Sequence, residues 1–553
     1  MKYIKIILFT LIVVLFVTAC SGSKDASSST VGSTSGKPGD STGAVNSDTI
    51  AESTEDKIPE PESSCKVTSF SISAEKNPAV YEDVTAEIED NKIKVSVGLL
   101  CSTYALKDVI PDVETDGVNV SFSKETEGKV DLTDGCKVTV TDSDGLSRVY
   151  DVEICYPASK LPIVTINTSD GADVTTKEKY ADATITIDTE GLDSRYELPE
   201  GFESIGETFV GIKGRGNSTW EWDKKPFKIK FDDKTSVLGL PKAKKWVLLA
   251  NYADYSLIRN YIAFESTRVL SGELSPLHQY PVNLFLNGEY IGVYTIGEDK
   301  EVGKNRIDLE DDTGEADTSF LIEIGGYNDG DVLDVDYFMA GDVRWCTVEY
   351  PEDELTQEQF DFIKEYVLHV NDDIYFGDDW TEHIDIDSFV DWFISSELFY
   401  NLDSCFRRSC FMTKEAGGKL KMGPVWDFDL SMGNIYMDYG LHETWMCTTQ
   451  EYEYIQSNWY QILLEDETFR ARLKERWDEK KDELLERSLS CVDTMGALVS
   501  PSAEYNFTVW DIMGERKLKV QPTFITDLKT YDSHIEYVRN FIINRWNWMD
   551  ENI

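Results

Sequence analysis

Histidine is scarce in this chain, 5 residues in 553, and each stands isolated in the sequence. No Ser-His-Asp set can be argued from them. No two cysteines have a two-residue spacer, which removes the usual zinc-ribbon spacing. No repeat of 20–50 residues is evident, which argues against solenoids and propellers. Beyond the N-terminus no run is long and apolar enough to cross a bilayer. Positive charge is also in short supply: 53 Lys+Arg against 102 Asp+Glu leave a net charge of −49. Phosphate backbones are held by Lys and Arg that displace counterions, so nucleic acid is not expected as a partner; a basic protein or a metal cation is. The same acidity makes Asp-x-Asp pairs common without function, so position must decide which of them matter.

The chain is 41% hydrophobic and 12% aromatic, enough over 553 residues to bury more than one core. Its start, "MKYIKIILFTLIVVLFVTAC", has Lys2 and Lys5, an apolar run from Ile6 to Val17, then Val17-Thr18-Ala19-Cys20. The run is too short for an ordinary spanning helix and reads as a secretory signal. It resembles a bacterial lipoprotein signal over residues 1–20, which implies an extracytoplasmic protein lipid-anchored to the cell membrane through Cys20. Residues 21–64 are rich in Ser, Thr, Gly and acids with almost no large apolar residues, and read as a disordered tether.

Residues 65–160 alternate in strand fashion, as in "KVTSFSI", "NKIKVSV" and "CKVTVTD", with turn signals such as Asp144-Gly145. This predicts a small all-β sandwich. Its "VTSFSI" and "DGLSRVYDVEI" resemble bacterial immunoglobulin-like spacer domains. Cys65, Cys101, Cys136 and Cys155 fall here, and can form two bridges in any of three pairings or remain free buried thiols.

Residues 161–553 begin with strand-like segments and continue with helical periodicity at Thr356–His369, Ser388–Phe399, Asn458–Ser488 and Tyr531–Asp550. The order predicts an α+β fold with a sheet-rich part followed by a helix-rich part, and few contacts to the preceding sandwich. In the helix-rich part, Asp387 is placed to N-cap "SFVDWFISSELFY", which runs into Asn401-Leu402-Asp403. "SCFMT", "KEAGG" and "KLKMGPV" then read as an antiparallel hairpin that sets Asp427 of "GPVWDFDL" opposite about Phe406. Asp403 and Asp427 are thereby expected to meet. A loop acid, a hairpin and a second acid is the order of a phosphoryl-transfer site, and Mg²⁺ suits carboxylate ligands.

The stretches "GIKGRGNSTWEWDKKPFKIKF", "ADYSLIRNYIAFE", "FLNGEYIGVYTIGEDKEVGKNRIDL" and "NLDSCFRRSCFMTKEAGGKLKMGPVWDFDLSMGN" resemble the spore coat protein H (CotH) kinase family, from about Leu161 to Asn552. The resemblance implies an atypical protein-kinase-like, two-lobe domain that binds ATP and Mg²⁺ and phosphorylates Ser or Thr of protein substrates. It assigns Asp403 as the catalytic acid or base and Asp427 as the metal ligand, with Asp429 as a further partner. Gly214, Arg215 and Gly216 lie in a segment that either brings amides and a guanidinium to the phosphates or is an ordinary hairpin turn. Kinases anchor phosphates with a strand lysine; Lys228 and Lys230 are the candidates, Lys230 the first choice, with Glu298 as its acid. Arg259 and Asn260 match a family motif whose role the residues themselves do not supply; the resemblance places Arg259 among the cofactor-binding residues. One departure stands out: kinases often carry a metal-binding Asn five residues after the loop Asp, and here that position is Arg408, with Asn401 or Asn434 as substitutes. A non-catalytic, pseudokinase-like surface module that binds envelope polymers or proteins is the alternative. "NDGDVLDVDY", with Asp329, Asp331, Asp334 and Asp336, lacks the Gly and Glu of a calcium loop and reads as a solvated loop.

Overall fold

A computed structural model describes residues 63–553 except 159, 311, 313, 326–332, 341–342, 352–354, 378, 437–442 and 449–457. The expected signal, Cys20 and all but the end of the tether lie outside the described residues, as do Asp329 and Asp331.

Strand-period alternation builds the first part. β1 (Val67–Ile72) pairs with β2 (Val84–Thr85) and β5 (Asp112–Thr115). A second sheet runs β3 (Glu87–Glu89), β4 (Lys92–Ser96), β10 (Ser147–Cys155), β9 (Cys136–Thr141), β6 (Asn119–Phe122), and β7 (Glu125–Thr126) pairs with β8 (Lys129–Val130). Inward-facing Phe70, Ile93, Val95, Val138 and Val140 are fully buried in one shared core. All described cysteines are free thiols, so neither bridge is formed; Cys65 lies beside Ser63 Oγ and the Val140 carbonyl instead.

Seven strands then close into a barrel: β11 (Ile163–Thr168), β12 (Ala181–Asp188), β13 (Ile205–Gly214), β14 (Phe227–Thr235), β15 (Ala243–Leu249), β17 (Glu289–Glu298) and β16 (Gln279–Leu286). Closure comes from parallel pairing of β11 with β16, Ile163 facing Asn283. β16 and β17 are joined at Asn287-Gly288, both at positive φ as a tight hairpin requires. Next to that hairpin Phe285 and Tyr290 pack on Tyr81, Leu100 and Tyr505. Asp188, fully buried, accepts from Thr103 N at 2.8 Å and Thr103 Oγ1 at 3.0 Å and pairs with Lys160 at 3.2 Å. The N-terminal part is thus seated on the barrel by an aromatic cluster and a buried charge, where few contacts were expected.

The remainder is mixed α+β. α1 (Ser218–Glu221) and α2 (Arg259–Thr267) sit among the barrel strands in sequence. A five-stranded sheet runs β19 (Tyr337–Ala340), β20 (Val343–Tyr350), β18 (Phe320–Ile324), β21 (Cys410–Lys414), β22 (Lys421–Met422). Around it are α3 (Gln357–Phe376), α4 (Trp380–His383), α5 (Ile386–Phe399), α6 (Trp459–Leu463), α7 (Glu467–Val509) and α8 (Tyr531–Asn552). The helical run expected from Asn458 breaks before Asp466, whose carboxylate caps α7. α7 returns to the barrel: buried Lys224 donates to Val293 O at 2.6 Å and to Asn506 Oδ1 at 2.8 Å. No described helix is long and apolar enough to cross a membrane.

Candidate phosphoryl-transfer site

The loop acid is positioned by α5. Its N-cap is Asp385, which accepts the Ser388 amide at 2.9 Å; Asp387, the expected cap, pairs with Arg472 instead. The helix buries Phe389, Trp392 and Phe393 and stops at Tyr400, whose φ of 49° turns the chain out. Asp403 follows in a single 3-10 turn, half-buried, and pairs with Arg407 Nη1 at 2.9 Å. Beyond it β21 and β22 form the expected hairpin, one residue off the expected register, with Met412 facing Met422. Pairing ends where Gly423 N donates to Phe411 O, so Asp427 has no ladder partner; Ser409 Oγ donates to its Oδ2 at 3.3 Å.

The Asp427-Phe428-Asp429 loop is held from α2. Asn260 Oδ1 accepts the Phe428 amide at 2.8 Å, and Arg259 Nε donates to Ser431 O at 3.0 Å. Arg259, placed in the cofactor set on sequence grounds, is 2% exposed and is committed to Asp254, Ser256 and this carbonyl. It braces the loop. Asp427 itself takes φ 64°, as do Phe406 (49°), Ser409 (49°) and Met432 (50°) nearby, a concentration of left-handed non-glycine residues. Burial pushes the Asp427 carboxyl up, reinforced by Asp403 and opposed by Arg215 and Lys300. Asp429 is pushed well above the carboxylate range by burial, then by Asp427, Asp403 and Asp254. Two carboxylates in one cleft resist ionising together unless a cation joins them.

Cations face them. Arg215, Asn260, Asp427 and Asp429 line one narrow cleft. Lys300 Nζ lies 3.2 Å from Glu323 and 4.0 Å above the Phe411 ring. The strand lysine in contact with an acid is Lys228, 2.5 Å from Asp299, not Lys230 with Glu298. Register explains the correction. Lys228 faces Val247 and Val247 faces Gly297, which sets Asp299, two residues on, on the same side. Ile229 faces Trp246 and Trp246 faces Glu298, so Glu298 belongs to the buried side. There Glu298 accepts from His278 N at 3.0 Å and lies near Arg306. Burial would push the Asp299 carboxyl up, but Lys228, Arg215 and Lys300 outweigh it and hold it below its ordinary value. Lys230 is exposed and lines a neighbouring cavity of about 600 Å³ with six further lysines, a local reversal of the chain's acidity.

The glycines serve packing. A Cβ on Gly214 would lie 2.3 Å from the Trp220 ring, and Gly216 has φ 82°. The amides of Gly214 and Arg215 already donate to Thr176 O and Pro226 O, so they have no hydrogen to spare for a phosphate. Arg408 is exposed. Asn434 donates to Ala253 O and Asp429 O and fixes the loop. Asn401 donates to Ser404 and to Trp426 O, leaving a buried Oδ1 without a partner beside the residue that precedes Asp427.

Asp299, Lys300, Glu323 and Arg407 were missed in the sequence, although Asp299 and Lys300 directly follow Glu298, the residue chosen. The two carboxylates of the cleft, Asp427 and Asp429, are oxygen donors of the kind Mg²⁺ takes. No curated protein matches the chain. The family model of the CotH kinase protein matches residues 212–549, more than half of the chain and all of the site residues just described. The protein belongs to the CotH kinase family.

Proposed function

We propose that the protein is an extracytoplasmic CotH-type kinase, tethered to the membrane by a lipid on Cys20, that moves the γ-phosphate of ATP onto Ser or Thr of a protein in a Mg²⁺-dependent reaction. The observation that carries this reading is the meeting of Asp427 and Asp429 with Arg215, Lys300 and the Lys228–Asp299 pair in a chain with a net charge of −49. Asp427 and Asp429 would hold Mg²⁺, which would neutralise charge on the phosphates. Lys228, fixed by Asp299, and Arg215 would bind phosphate oxygens. Asp403 would take the proton of the acceptor hydroxyl as its oxygen bonds to phosphorus and the bond to ADP breaks. In this reading the barrel and the helical part are the two lobes of a kinase-like fold. The N-terminal sheets are an immunoglobulin-like spacer above the tether.

The pseudokinase-like reading draws on one observation: Asp403 is engaged by Arg407 at 2.9 Å, one residue before Arg408. Incubating the mature chain with labelled ATP, Mg²⁺ and candidate proteins separates the two. Mg²⁺-dependent label transfer lost in Asp427→Ala supports the kinase; nucleotide binding without transfer supports the surface module.

A further inference from the structure

Two of the five histidines, isolated in sequence, are adjacent in the fold. His369 and Asp373 are one helical turn apart on α3, and α4 brings His383, its last residue, against them. His383 Nε2 lies 3.2 Å and His369 Nε2 3.5 Å from the same oxygen, Asp373 Oδ2. That oxygen is buried and has no hydrogen-bond partner. One ligand atom from each of the three residues lies within 4.8 Å of the others.

These spacings suit a coordinated cation. Bonds of about 2.0–2.1 Å to a tetrahedral centre set ligand atoms about 3.3 Å apart, close to the 3.2 and 3.5 Å edges. The scaffold is fixed: the His383 carbonyl accepts from Tyr366 OH at 2.9 Å and from Leu420 N at 2.9 Å. His369 is largely exposed, which leaves solvent for a fourth ligand.

We propose that His369, Asp373 and His383 form a binding site for a borderline divalent transition cation, Zn²⁺ first, separate from the carboxylate cleft. Two imidazoles and one carboxylate suit Zn²⁺ and disfavour Mg²⁺, which takes oxygen. The ion ties α3 to the segment that ends at Asp385, the cap of α5, and α5 leads to Asp403. Its role is to fix that entry, and it does not rest on the kinase reading.

The test uses the mature chain stripped with a chelator, then titrated calorimetrically with Zn²⁺ and optically with Co²⁺. One equivalent of Zn²⁺ is expected, with a tetrahedral Co²⁺ spectrum and a raised thermal midpoint. His383→Ala and Asp373→Asn each weaken binding by about 100-fold or more. His369→Ala, at an exposed ring, keeps the test open if a buried variant fails to fold. Binding persists in Asp427→Asn and in Cys155→Ser, which removes an exposed thiol. No stoichiometric binding, binding untouched by the three ligand variants, or binding lost in either control overturns the proposal.

Discussion

Asn260 Oδ1 accepts the backbone N–H of Phe428 at 2.8 Å, between the two aspartates of the candidate metal site. One side chain on the first turn of α2 thus sets the loop from the barrel side, while Arg259 beside it holds Ser431 O. Asn260→Ala leaves a buried amide unpaired, a cost of about 1–3 kcal/mol. The expected outcome is a lower denaturation midpoint together with weaker Mg²⁺-dependent nucleotide binding, and Asn260→Ser should recover part of both. Calorimetry with Mg²⁺ and ATP checks it; unchanged affinity in a destabilised variant would confine Asn260 to folding.

The Lys228–Asp299 pair gives a paired comparison. Lys228→Met removes the cation facing Asp299 and should reduce nucleotide affinity at least tenfold, about 1.4 kcal/mol. Lys230→Met, on an exposed side chain near Tyr180, should leave that affinity within twofold and stability within about 0.5 kcal/mol. Equal losses in the two variants would count against the register argument.

That argument also shows where the sequence stops being readable. Asp403 and Asp427 were chosen because acid, hairpin and acid follow one another within a short segment that matches the family motif; the hairpin itself stops at Gly423, short of the Asp427 pairing that turn chemistry predicted. Choosing between Glu298 and Asp299 needs the pairing of β14 with β15 and of β15 with β17, a contact across about seventy residues that leaves no local trace. Barrel closure, which pairs Ile163 with Asn283, is equally nonlocal. The cap of α5 failed for a different reason: Asp385 and Asp387 are both plausible caps, and only the first turn's geometry selects Asp385. Arg259 and Asn260 were recognisable as a motif, but their partners lie near residue 430.

Acid should weaken the same brace. His534, 2% exposed, is held down to about 4 by burial and by the Arg259 guanidinium, against Asp254 and the Leu528 carbonyl. The unfolded chain therefore binds the extra proton first. The neutral ring's contribution is complete above the ordinary histidine value of about 6.5 and is lost as pH falls towards 4, about 3 kcal/mol in all. Denaturant melts between pH 7 and 4 should show this slope, and His534→Gln should flatten it.

Lys160 and Asp188 are both fully buried and 3.2 Å apart, and Thr103 supplies two more bonds to the same carboxylate. Removing one member of such a pair costs about 3–5 kcal/mol, since the remaining charge stays buried. Lys160→Met should lower stability by that order. A chain starting at Leu161 loses Lys160 and Thr103 together and should be less stable than the full chain by at least as much; adding Asp188→Asn to the shortened chain should recover part of it. Equal stability of the shortened and full chains would show that the aromatic and ionic seat contributes little.

The Arg407–Asp403 pair decides whether the loop acid is available. The two side chains are about one-fifth exposed and 2.9 Å apart, a contact that an acceptor hydroxyl would have to share. Asp403→Asn should cut transfer by at least about 100-fold while sparing nucleotide affinity, because that group acts on the acceptor and not on the metal. Arg407→Ala frees the carboxylate, and its effect has a sign that distinguishes two roles. Faster transfer means that the guanidinium restrains the acid, as in a kinase held back until its substrate arrives. Slower transfer with unchanged nucleotide binding means that Arg407 orients the acid. A steady-state phosphorylation assay on both variants, with parallel titrations of ATP and Mg²⁺, separates these outcomes. Loss of nucleotide binding in Asp403→Asn would place Asp403 among the metal ligands instead.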